Sequence, residues 1–107
     1  MLSTQSINLT NLNSTLLSGR KNGERARKSL DVSFNDEYKI IARSDQLITS
    51  SYFLGLLGDE LVRLAEKLGS VDAVIERLDL CEVNEKSRTE CIRAVRRSIT
   101  APRSLMG

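Results

Sequence analysis

The chain has no histidine, two cysteines, one proline and four aromatic residues among its 107 positions. Without histidine the commonest partner of cysteine in a zinc site is missing, and Cys81 and Cys91 are too few for a disulfide framework. Both are expected to be reduced core residues, and neither a metal nor a cofactor is expected. The same absence removes the usual general base. There is no phosphate loop, and Asp59 and Glu60, adjacent on a helix, point different ways, so catalysis is not expected. Nothing approaches the roughly 18 consecutive apolar residues of a membrane span. The opening MLSTQSINLT has neither the basic start nor the apolar core of a signal peptide. A cytoplasmic protein with no membrane contact is the expectation. A formal charge of +2 is too small to indicate nucleic acid. The length suits a single domain over 1–107, with a loose tail from about residue 101 after Pro102.

What is present is one long amphipathic run, Ile48 to Gly69. Leu54, Leu57, Leu61, Leu64 and Leu68 recur at the helical period, and Phe53 and Ala65 widen the stripe. Ser50 or Ser51 is placed to accept from the first-turn amides, and Gly69 suits the left-handed residue that ends a helix. The serines either serve only as caps or have a functional role; spacing alone leaves both open.

Around this helix the chain reads in order. Ser6–Thr10 alternates polar and apolar, a short strand expected at a sheet edge, and Leu12, Leu16 and Leu17 lead inward. LLSGRKNGERARKSL is read as a helix capped by Ser18 or Asn22, with Ala26 and Leu30 inward and Gly19 and Gly23 as costs. Its basic residues Arg20, Lys21, Arg25, Arg27 and Lys28 form either a solvated face or a phosphate-binding patch. LDVSFNDEYKIIAR suggests a β-hairpin. A three-residue loop, Asn35 to Glu37, sets Leu30, Val32, Phe34, Tyr38, Ile40 and Ala42 on one buried face, with Lys39 and Ile41 on the other. Ala73–Leu80 is read as a strand. Asn84 caps a last helix whose apolar stripe is Cys91, Ile92, Val95 and Ile99 and whose end carries Arg93, Arg96 and Arg97. The fold class this implies is α/β, two layers, with a four-stranded mixed sheet and helices mainly on one face.

Three segments resemble the STAS-like domains, relatives of the anti-sigma factor antagonists that in bacteria are often fused to, or encoded beside, histidine-kinase-type ATPase domains. LLSGRKNGERARKSL is similar to the family's segment beginning Ser-Arg, interrupted here by Gly19, with Arg20 as the matching arginine. ITSSYFLGLLGDEL resembles its serine-then-aromatic helix start, and VNEKSRTECIRAVRRSI its closing helix. In the antagonists this helix opens Asp-Ser-Ser-Gly and the second serine is phosphorylated. Ser51 matches that serine, while Thr49 and Tyr52 stand where the aspartate and glycine would be.

The resemblance implies a regulatory protein-interaction module that docks Thr49, Ser50, Ser51 and Tyr52 on a histidine-kinase-type ATPase or anti-sigma-like partner. The alternative is nucleic-acid or phosphate binding, with Arg20, Arg25 and Arg27 as the anion-binding residues. Four aromatics, of which Phe34 and Tyr38 are expected to point inward, leave little for base stacking.

Overall fold

The computed structural model describes residues 2–99. The tail expected from residue 101 lies outside them. Strands β1 (Thr4–Asn8), β3 (Glu37–Ile41) and β5 (Leu78–Glu82) form a parallel sheet in the order β1-β3-β5. Strands β2 (Leu16–Leu17) and β4 (Leu47–Ile48) form a second, two-stranded parallel pair. The helices are α1 (Arg20–Ser29), α2 (Ser50–Leu68), α3 (Val71–Glu76) and α4 (Glu85–Ser98). The α/β class stands. A four-stranded mixed sheet does not, because every pairing is parallel and the strands divide three and two.

The expected hairpin is absent, and the reason lies at the end of α1. Leu30 is the C-cap, and Asp31 takes the left-handed conformation at φ 57. The Asp31 amide donates to the Lys28 carbonyl and the Val32 amide to that of Arg27, the double closure that ends helices most often at glycine. Aspartate is among the few other residues that tolerate this backbone. The chain from Leu30 to Asp36 is therefore a loop, held by the Gln5 side chain, which donates to the Asp31 carbonyl and accepts from the Ser33 amide. The Tyr38 hydroxyl also holds it, accepting from the Asn35 amide and donating to the Ser33 carbonyl. Leu30, Val32 and Phe34 still pack on the core from this loop, half-buried.

Tyr38 and Ile40 are buried while Lys39 and Ile41 are only half-buried, so the expected alternation of β3 holds even though its partners are different. Ile7, Tyr38, Ile40 and Leu80 give the sheet an apolar inner face. The outer face carries Ser6, Asp79 and the Lys39–Glu82 ion pair and sees solvent. β1 lies at an edge of its sheet, as expected.

The segment read as a strand from Ala73 is the helix α3 up to Glu76. Ser70 accepts from the Ala73 amide at its start, and only from Leu78 onward is the chain extended. Fewer than two turns of helix are too short to show the helical period against alternation. Cys91 is buried, whereas Cys81, on the outer face of β5, is exposed rather than in the core.

In α2 the buried face comprises Tyr52, Phe53, Leu56, Leu57, Leu61, Leu64 and Ala65, with Leu54 and Leu68 at its margins. Gly69 ends the helix in the left-handed conformation, φ 78. α2 meets α1 through glycines. A methyl group at Gly23 would lie 2.1 Å from the Tyr52 carbonyl oxygen, and one at Gly55 would lie 2.1 Å from that of Arg20. The two backbones touch, and only hydrogen fits at either position. Beside this contact Arg27 of α1 forms a two-point ion pair with Glu60 of α2, whose carboxylate is 3% exposed as a residue.

Candidate functional site

Two buried polar side chains fix where α2 begins. Gln46, fully buried, donates to the carbonyls of Leu9 (2.9 Å), Leu12 and Ser14 and accepts from the Arg43 amide (2.7 Å). Ser87, at the start of α4, donates to the Gln46 carbonyl and accepts from the Ile48 amide at 2.9 Å. Asn84 caps α4 through its side-chain oxygen and spends its amide on the carbonyls of Ser44 and Gln46. β4 is thus held between β2 and α4, and the helix start projects from its carboxyl end. No apolar pattern marks Gln46 or Ser87. A glutamine and a serine inside otherwise structural stretches are the only hint the sequence offers.

The cap of α2 is Thr49, not Ser50 or Ser51. Its hydroxyl accepts from the Tyr52 amide at 3.4 Å and donates to the Leu17 carbonyl at 3.3 Å. Ser50 and Ser51 are instead the first and second residues of the helix itself. Ser50 is engaged by α4: its amide and hydroxyl both donate to one carboxylate oxygen of Glu90, at 3.3 and 2.9 Å. These bonds, led by that of the Ser50 hydroxyl, hold the Glu90 carboxyl below its usual range. Glu90 so places a negative charge at the positive end of α2.

Ser51 is exposed, and among the described residues its side chain makes one polar approach, to the Thr49 hydroxyl at 3.4 Å. Because the Thr49 proton goes to Leu17, Ser51 is the donor in that approach. Tyr52 is turned inward. The four residues expected to act together therefore divide: Thr49 caps, Ser50 is tied to α4, Tyr52 is buried, and Ser51 alone faces outward.

Beside them Leu16 and Leu47 are register partners across β2 and β4, while Leu17 and Ile48 point to the core. Leu16 is 56% exposed, not led inward as expected, and Leu47 is half-buried, so an apolar pair lies open next to the helix start. A cleft of about 420 Å³ follows, lined by Leu47, Thr49, Glu85, Lys86, Thr89 and Glu90.

The three arginines considered for anion binding also divide. Arg27 is paired with the buried Glu60, and that hydrogen bond raises its pKa further. Arg20 and Arg25 are exposed, and Arg25 donates to the Asn22 side chain at 3.2 Å. On α4 Arg93 pairs with Glu90 and Arg96 with Asp72, which breaks up the basic surface of that helix. Among the described residues no cluster of three or more acidic, cysteine or histidine side chains could hold a metal ion, and no helix is long and apolar enough to cross a membrane. Comparison of the chain with family models, curated proteins and solved structures found no match.

Proposed function

We propose that the chain is a non-catalytic regulatory module of the STAS-like kind, acting in the cytoplasm and docking the surface around Ser51 on a protein partner. A histidine-kinase-type ATPase or an anti-sigma-like protein is the partner the sequence resemblance suggests. The observation that carries this reading is the isolation of Ser51. Of the three hydroxyls at the start of α2, two are spent inside the fold, and the third stands exposed beside the open Leu16–Leu47 pair.

Phosphorylation there would add about −1.5 to −2 charge at a helix N-terminus, which tolerates it, so the modification would act on docking rather than on folding. Ser50 is the poorer acceptor, because a phosphate on it would be driven against Glu90. Pull-down from native extract with wild-type, Ser51→Ala and Ser51→Asp baits tests the switch, together with mapping of phosphate on the recovered chain. Selective loss of one captured protein with Ser51→Asp, and phosphate at Ser51, are the expected results. Equal recovery by all three folded baits would leave Ser51 an ordinary surface residue. The basic face of α1 leaves nucleic acid as the second reading, and a steep fall of binding with salt would identify it.

A further inference from the structure

The two tyrosines of the chain are both buried, but their hydroxyls differ. That of Tyr38 is bonded at both ends. Tyr52 is 3% exposed, yet its hydroxyl finds no partner among the described residues. It is not sealed off either, since among the described residues no fully buried side-chain oxygen or nitrogen lacks a hydrogen bond. Tyr52 lines a cleft of about 370 Å³ between the 12–18 segment and α1. That is the size of a small-ligand site.

Among the described residues no acidic side chain lines this cleft. Glu24, the acid of α1, lines a separate depression with Lys21, Arg25 and Lys28. Arg25 reaches the cleft, steadied by Asn22, whose own amide is spent on the Ser18 carbonyl. Between Ser18 and Asn22, both in the cleft wall, lies the start of α1. Its N-cap is Gly19, which offers no side chain, and its first turn holds no acid. The remaining wall is apolar, with Leu12, Leu16 and Leu17.

We propose that this cleft binds a small phosphomonoester, with its phosphate held by Arg25 and the Tyr52 hydroxyl, and its organic body against the three leucines. Donors brought by two helices from different directions suit a tetrahedral anion with three free oxygens better than a planar carboxylate, which one arginine satisfies. Burial pushes the Tyr52 hydroxyl up from its ordinary pKa, so it remains a proton donor at neutral pH.

Calorimetric titration of the full chain with phenyl phosphate, inorganic phosphate and phenol tests this, independently of any protein partner. Phenyl phosphate should bind saturably and more tightly than inorganic phosphate, and phenol should not bind. Tyr52→Phe, which keeps the ring, should weaken phenyl phosphate about tenfold, and Arg25→Gln, at an exposed position, by at least as much. Absence of saturable binding, or affinity unchanged in both variants, would overturn the proposal. Phenol binding as well as phenyl phosphate would overturn the anion site, and inorganic phosphate binding as tightly would overturn the role of the leucine wall.

Discussion

Helix α2 is packed in two different ways along its two flanks. Against α1 it is held by backbone contact at Gly23 and Gly55 and by a buried ion pair, Arg27–Glu60, with Ala26 the one apolar side chain that α1 buries. Against α4 it meets a stripe of ordinary core residues, Cys91, Ala94 and Val95, tied at one end by Ser50 and Glu90. The first contact depends on what is missing from the side chains, and the second on what they contain. Close backbone approach gains dispersion contact without much apolar area, but it tolerates no added atom. Side-chain packing can relax around small changes.

The comparison breaks most sharply at the glycines. Gly55→Ala should cost about 3 kcal/mol or more, because the new methyl group meets a backbone oxygen that cannot rotate away. Gly58→Ala in the same helix meets only the Leu54 side chain, at 3.7 Å, and should gain about 0.5–1 kcal/mol from helix propensity. Urea melts of the two variants give opposite signs if the crossing is as close as described.

Next in size is the ion pair. Arg27→Met should cost about 2 kcal/mol, less than for a wholly buried pair because the arginine is partly exposed. The doubly substituted Arg27→Met, Glu60→Leu chain should recover most of it, and a double-mutant cycle measures the difference. At the helix start, Thr49→Ala should cost ~1 kcal/mol by loss of the cap, while Ser51→Ala should be close to neutral in a thermal melt. Reversal of that order would return the cap to the serine.

At the other end of α1, Asp31→Gly should stabilise by about 0.5–1 kcal/mol, since glycine adopts φ 57 without strain. The smallest effect concerns acid. Asp36, bonded first by Lys67 and then by the Ser3 amide, is lowered from 3.8 to about 2. A carboxyl depressed in the folded state adds stability above its unfolded pKa and loses it as pH falls through the folded one. Between pH 3.8 and about 2, Asp36→Asn should therefore flatten the fall of stability with acid, measured as the urea midpoint against pH.

The α1 side of the helix is also the less legible in the sequence. Gly19 and Gly23 count only as costs in a sequence, because the carbonyl that Gly23 must approach lies 29 positions away, at Tyr52. Arg27 looks like one of a row of surface cations until Glu60 is set opposite it. The stop of α1 is written with aspartate rather than glycine, so it carries no strong local signal, and with Leu30–Phe34 read as extended, pairing it with Tyr38–Ala42 is the nearest solution. On the α4 side, the apolar stripe and the Asn84 cap lie within one segment and could be read directly.

By itself the sequence determined the elements whose signals are local: α2 with its stripe and its Gly69 stop, α4 with its cap, the inward set Tyr38 and Ile40, and the inward pair Ile7 and Leu9 near the sheet edge. Each rests on periodicity or on a cap within a few residues, and such signals do not depend on the rest of the chain. Only the tertiary structure decided which strands pair, which hydroxyl at the start of α2 is free, and that Tyr52 opens on a cleft. Those outcomes depend on Gln46, Ser87 and Glu90 reaching across 30 to 40 residues. A polar side chain carries no mark of its partner until the fold brings the two together.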